Sequence, residues 1–146
     1  VTGSLLTARG PLRAGLRASV RHAFSPADVG GFAALCGDDN PIHVDEHAAR
    51  GGRFGGTICH GMLVASLFST IFGRGIPGAV YVGQTLKFKR PVPVGAGVEA
   101  TVEVTEAVQH RGGKDQMVTC RTVVELEEGG GVAIEGEARV LVPGRE

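Results

Sequence analysis

From residue 80 onward, hydrophobic and polar residues alternate along the chain with a period of two. The alternation covers residues 80–90, 98–108, 116–127 and 132–142, and turns rich in glycine or proline separate these segments. Because successive side chains of a strand point to opposite faces, each segment predicts a β-strand with one apolar and one polar face. Connections this short favour an antiparallel sheet. A further strand is expected over residues 18–24.

Two helices are predicted before these strands. Ser25-Pro26-Ala27-Asp28 is typical of a helix start, with a Ser N-cap, a proline at the first helical position and an acid at the third. This helix should end at Gly37, and residues 38–57 are expected to be irregular. The second helix, over residues 62–72, contains no charged residue and should be buried.

The second helix has two different faces. Its apolar face carries Leu63, Val64, Leu67, Phe68 and Ile71. The opposite face is a stripe of small or weakly polar residues: Met62, Ala65, Ser66, Ser69 and Gly73. A buried helix beside an amphipathic sheet predicts an α+β fold in which the sheet wraps around the helix.

Composition narrows the function classes. The chain of 146 residues fits one domain, and 42% hydrophobic and 21% charged residues are ordinary for a globular protein. Fifteen basic and fifteen acidic residues cancel, so no net charge favours nucleic acid or an anionic membrane. The longest apolar run is shorter than the roughly 20 residues of a membrane span. We expect residues 1–11 to form a flexible tail before a domain over residues 12–146.

The cysteines indicate the compartment. The three of them, Cys36, Cys59 and Cys120, are far apart and show no CxxC spacing. An odd number without that spacing does not build a disulfide framework and suits a reducing, cytoplasmic location.

The segment CGDDNPIHVDEHAA, residues 36–49, holds the densest candidate chemistry, and three interpretations are open. His43 and His47 with Asp45, Cys59 and His60 have the side chains of a metal site, but no spacing among them completes a zinc set. Asp38 and His43 could act as an acid/base pair across the turn at Asn40-Pro41. The segment could also be a solvated, charged turn.

Two glycine-containing segments follow. His60-Gly61 begins the buried helix, where unpaired N–H groups and the positive end of the helix dipole are found. The Gly61 N–H could therefore stabilise a developing oxyanion. In contrast, GGRFGG at residues 51–56 lacks the spacing of a phosphate-binding loop.

Together these motifs resemble a known family. GDDNPIH (residues 37–43), HGM (60–62) and GQTLKFKRPV (83–92) resemble the MaoC-like hydratases. More closely they are similar to the (R)-specific enoyl-CoA hydratases that supply polyhydroxyalkanoate synthesis. The resemblance extends over about residues 12–143.

The resemblance implies a hot-dog fold, a homodimer with its site at the subunit interface, and no metal or cofactor. It implies that Asp38 and His43 activate one water molecule and that the Gly61 N–H binds the thioester carbonyl. Asn40 would hold the turn, and Ser69 matches a serine of the family's active site. Which member of the pair is the base stays open.

The substrate is expected to be a 2-trans-enoyl-CoA. Lys87, Lys89 and Arg90 lie on or just past a strand whose core face is expected to carry Val82, Gln84, Leu86 and Phe88. These three cations are candidate contacts for the CoA phosphates, or they belong to a solvated sheet face. Phe72 is expected to border the acyl tunnel and to favour short chains of about four to six carbons. The alternatives are a dehydratase acting on an acyl carrier protein and a hot-dog acyl-CoA thioesterase.

Overall fold

The computed structural model describes residues 1–146 and contains one antiparallel sheet of six strands. The strands are β1 (Arg17–Ala23), β2 (Val80–Gln84), β3 (Lys87–Phe88), β4 (Gly97–Gln109), β5 (Gln116–Leu126) and β6 (Val132–Val142). The helices are α1 (Ser4–Thr7), α2 (Pro26–Cys36), α3 (Pro41–Val44), α4 (Glu46–Arg50) and α5 (Gly61–Gly75). The strand order is β1-β4-β5-β6-β2, and β3 also pairs with β6.

The core lies between the sheet and α5, as the hydrophobic pattern predicts. On β4, every second residue from Val98 to Val104 is at most 1% exposed. The buried side of α5 consists of Val64, Leu67, Phe68, Ile71 and Phe72. The opposite stripe of α5 is largely open, with Met62 61% exposed. The expected α+β fold, a sheet wrapped around one helix, is confirmed.

The helix predicted from Ser25 is also confirmed. The Ser25 hydroxyl accepts a hydrogen bond from the Asp28 N–H (3.1 Å), and the Asp28 carboxylate accepts one from the Ser25 N–H (2.9 Å). The bond from the Ser25 backbone is the main cause that lowers the pKa of Asp28. Gly37 ends the helix with a left-handed backbone, φ 87°, which favours glycine.

Residues 38–57 are less irregular than expected. Asn40 caps α3 by accepting a hydrogen bond from the Ile42 N–H, and Pro41 takes the first helical position. Asp45 caps α4 in the same way through the Ala48 N–H. The Asn-Pro pair therefore starts a short helix rather than preventing one.

The strand expected over residues 80–90 is two strands. The pairing of β2 with β6 shifts register between Tyr81 and Gly83, and β3 resumes at Lys87. Val82 and Phe88 are each 52% exposed, so the expected core face of this segment is wrong. A register shift of one residue turns side chains to the other face of a sheet.

The first eleven residues do not form a flexible tail. Thr2 makes a bridge with Ser19, and α1 places Leu5 in the core with 0% exposure. The Gly10 N–H donates to the carbonyl of Glu146. The expectation is wrong because Leu5 is one of the apolar side chains that fill the core.

No helix of the chain combines the length and apolarity required to cross a membrane.

Candidate active site

Asp38 and His43 face each other, as predicted. Gly37 turns the chain out of α2 into Asp38, and Asn40 begins the short helix α3 that carries His43. Asp38 Oδ2 lies 3.9 Å from His43 Nε2. This distance is too long for a direct hydrogen bond. One water molecule that donates to both atoms would bridge them.

The hydrogen bonds fix the orientation of both groups. His43 Nδ1 lies 2.7 Å from the carbonyl oxygen of Ile58. Because a carbonyl only accepts, Nδ1 must donate, and in the neutral ring Nε2 then carries the lone pair. Asp38 Oδ1 accepts the Asn40 N–H at 3.3 Å, which leaves Oδ2 on the side of His43.

His60 touches both members of the pair, and the sequence analysis considered it only as a possible metal ligand. Its Nε2 lies 2.8 Å from the backbone carbonyl oxygen of Asp38. Its ring stacks on that of His43, with centroids 3.9 Å apart and planes inclined by 26°. Phe32 also packs against the His60 ring in an edge-on arrangement, with centroids 4.8 Å apart. The signal available in the sequence was the adjacency of His60 to Gly61 in HGM.

The cluster of Asp38, His43 and His60 does not fit a metal ion well, although its possible ligand atoms lie within 4.8 Å of one another. A histidine nitrogen binds a metal along a lone pair in the plane of its ring. Two rings stacked at 3.9 Å with nearly parallel planes cannot direct these lone pairs to one point about 2 Å from both. His47 is exposed on α4.

Gly61 is the first residue of α5, so its N–H has no partner within the helix. Phe88 lies directly over it: a Cβ built on Gly61 would overlap the phenyl ring. The absence of a side chain therefore lets the aromatic ring approach the helix start. An N–H group without a helical partner is a donor of the kind that can stabilise an oxyanion.

A pocket of about 610 Å³ adjoins these groups, although Asp38 and His60 are not among the residues that line it. His43 and Gly61 both line it, and Ile58, Met62, Val64 and Ile134 contribute apolar wall. Cys59 is also in the wall, and burial raises the pKa of its thiol to about 11, so the thiol stays neutral and unreactive near pH 7.

Three cations line the same pocket: Lys89, Arg90 and Arg53. Lys89 and Arg90 were candidates from the sequence. Arg53 was missed because GGRFGG was tested only as a phosphate loop. Lys89 Nζ lies 3.5 Å from a carboxylate oxygen of Glu135. Lys87 is exposed on β3 and lies outside this pocket.

The structure does not bring Phe72 or Ser69 to the pocket. Phe72 is 3% exposed, belongs to the core and packs edge-on against the ring of Tyr81. Its expected position beside an acyl tunnel is therefore not observed, because this side of α5 packs against the sheet. Ser69 is exposed on the other side of α5.

The fold and the site together define a hot-dog domain in which a carboxylate faces an imidazole close to a helix start. The chain matches the model of the MaoC-like domain over residues 9–127. It therefore belongs to the MaoC-like domain family.

Individual relatives carry more specific names. The chain is 42% identical over 134 residues to an (R)-specific enoyl-CoA hydratase from Aeromonas caviae, covering 90% of this chain and 96% of the relative. The solved structure of the (R)-hydratase from A. caviae involved in PHA biosynthesis superposes with a TM-score of 0.82, at 42% identity, covering 90% of this chain and 98% of that one. A mitochondrial 3-hydroxyacyl-[acyl-carrier-protein] dehydratase from Solanum lycopersicum is 38% identical over 122 residues, 84% of this chain and 72% of the relative.

Proposed function

We propose that the protein is an (R)-specific 2-enoyl-CoA hydratase, which adds water reversibly to a 2-trans-enoyl-CoA to give the (3R)-hydroxyacyl-CoA. The observation that carries the proposal is the Asp38–His43 pair, 3.9 Å apart, whose His43 lines the same pocket as Gly61 at the start of α5. The similarity to the A. caviae hydratase agrees with this assignment.

The thioester carbonyl accepts the Gly61 N–H, so that negative charge can develop on its oxygen. The water held by Asp38 and His43 donates a hydrogen to each and directs a lone pair at the β carbon. As the C–O bond forms, His43 Nε2 takes one proton, and the Asp38 carboxylate stabilises the resulting imidazolium. A proton from the pair then returns to the α carbon on the same face. Hydroxide and proton together account for the added water.

The cations of the pocket give the thioester its orientation. Arg53 and Arg90 lie where they can meet the CoA phosphates, and Lys89 adds a charge that Glu135 partly neutralises. The apolar wall receives the acyl chain. The chemistry needs no metal or cofactor, in agreement with the stacked geometry of His43 and His60. Free Cys36, Cys59 and Cys120 support a cytoplasmic location.

The working unit is proposed to be a homodimer. In a single chain, the small-residue stripe of α5 and the outer side of β2 are exposed to solvent. Met62 is 61% exposed and Val82 is 52% exposed. A second copy placed there would cover both. Ser69 would contact substrate only in such an assembly, because it lies on the open stripe.

The second candidate is a dehydratase acting on the acyl carrier protein thioester, in the reverse direction. The similarity to the tomato mitochondrial enzyme favours it. Both substrates share the phosphopantetheine arm, so the Asp38–His43 pair serves either reaction.

The test is hydration of crotonyl-CoA, followed by loss of enoyl-thioester absorbance and chiral analysis of the product. Asp38→Asn and His43→Gln should each fold normally and lose at least about a hundredfold in kcat, because positioned acid/base groups contribute about 10²–10⁴ in rate. Asp39→Asn, the same change one residue away, is the control and should stay near wild type.

The proposal is wrong if the wild type forms no (3R)-hydroxybutyryl-CoA, or if both active-site variants keep nearly full activity. Comparing kcat/KM for the same acyl group on CoA and on acyl carrier protein chooses between the two candidate substrates.

A further inference from the structure

His60 is a buried polar side chain that the hydration chemistry does not itself employ. It is 3% exposed. Its Nε2 donates to the Asp38 carbonyl, and its Nδ1 is buried without a hydrogen-bond partner. We propose that His60 is a positioning residue that holds Asp38 and His43 in register with each other. The activity measurements below rest on the proposed function; the spectroscopic measurement does not.

Asp38 is the first group that His60 restrains. Its side chain is 52% exposed, and it lies in the connection between α2 and α3. Two hydrogen bonds restrain it: the Asn40 N–H to Oδ1 and His60 Nε2–H to the main-chain oxygen. The second bond joins the loop to a residue at the start of the buried helix α5. His60 therefore ties an exposed carboxylate to the rigid core.

His43 is the second group that His60 restrains. The bond from Nδ1 to Ile58 fixes one point of the ring and its tautomer, but the angles of a hydrogen bond to a carbonyl vary widely, so the ring can still tilt. The face of His60, 3.9 Å away, restricts this rotation. Ile58 and His60 are two residues apart, so the same short segment sets both restraints. Together they keep His43 Nε2 directed at the Asp38 carboxylate.

The positioning role of His60 can be separated from its contribution to stability. With Nε2 protonated, Nδ1 of His60 carries a lone pair that no donor satisfies, and an unpaired buried acceptor costs free energy. A phenyl ring has the same planar shape, keeps the stacking and removes that cost. The Asp38 carbonyl that it releases lies in an exposed loop and can bond to water. If His60 served only packing, phenylalanine would serve at least as well.

The experiment compares His60→Phe, His60→Gln and Phe32→Leu with the wild type. His60→Phe should unfold at the same or a higher temperature and lose about ten- to a hundredfold in kcat with a small change in KM, because displacements near 1 Å in a site cost about that much. His60→Gln keeps an N–H donor and should recover part of the loss. Phe32→Leu alters the packing against His60 and should change kcat by no more than about twofold.

The spectroscopic measurement is the ¹⁵N spectrum of the His43 ring at neutral pH. The wild type should show one tautomer, protonated at Nδ1, and His60→Phe should show line broadening or a mixture. An unchanged His43 spectrum together with kcat within about twofold of the wild type would overturn the proposal. If His60→Phe does not fold, the same two readouts on His60→Gln decide it.

The two hypotheses fail in different ways. A wild type without hydratase activity would disprove the proposed function. The tautomer of His43 in the His60 variants would still show whether His60 orients that ring.

Discussion

At the residue scale, Gly61 is constrained by its neighbour as well as by its proposed chemistry. A Cβ at this position would overlap the ring of Phe88. We expect Gly61→Ala to displace the ring and the helix start and to lower kcat/KM for crotonyl-CoA by at least about tenfold, since misplacing one oxyanion donor costs more than this in other enzymes. Gly31→Ala is the matched control, because no atom lies near a Cβ built there.

A double variant tests the cause of that loss. Leucine at residue 88 vacates part of the volume of the ring, so Gly61→Ala/Phe88→Leu should be more active than Gly61→Ala alone, once the effect of Phe88→Leu is subtracted. A double variant as poor as the single one would show that overlap with Phe88 is not the reason for the glycine.

Some contacts of the site could be predicted from the sequence and others could not. Asp38 and His43 were predictable because five residues and one turn separate them. The contact between His60 and Asp38 joins residues 22 positions apart, and nothing local indicates it. Phe72 was misplaced for a related reason: a helical wheel gives the face on which a residue lies but not which neighbour covers that face.

At the scale of elements, the bounds that depend on residues within a segment were predictable from the sequence. The bounds of α2 were predictable because the cap of Ser25 and Asp28 and the stop at Gly37 lie within the segment itself. The break between β2 and β3 was not, because it depends on register with β6, whose paired residues lie 46 to 61 positions away. At a bulge the residues still alternate along the sequence, but the alternation of their side chains between the two faces of the sheet is interrupted.

The short helix α1 gives the prediction at this scale. Leu5 is 0% exposed, so Leu5→Ala leaves a cavity and should lower the free energy of unfolding by about 2–5 kcal/mol. Urea denaturation measures this value. The control is Leu35→Ala, the same change at a residue that is 85% exposed, which should stay within about 0.5 kcal/mol of the wild type. Equal stability of the two variants would mean that α1 does not belong to the folded core.

At the scale of the whole molecule, the two edges of the sheet differ. Along the β1 edge, Arg17 and Arg21 pair with Glu103 and Glu99 of β4, and Thr2 bridges to Ser19. Charges and a covering segment are the usual protection of an edge against another chain. The β2 edge has neither, and its apolar Val80, Tyr81 and Val82 are 56%, 36% and 52% exposed.

This asymmetry indicates that β2, rather than β1, contacts a second copy in the proposed dimer. A lysine at residue 82 would place a charge in that contact, so Val82→Lys should shift the protein from about twice its chain mass of 15.1 kDa toward the monomer. Light scattering after gel filtration measures the mass.

Val108→Lys is the matched control, since Val108 is 47% exposed at the far end of β4, and it should remain dimeric. If the site is completed by the partner, kcat of Val82→Lys should rise with protein concentration as the dimer re-forms. A Val82→Lys variant that stays dimeric at all concentrations would exclude the β2 edge as the interface.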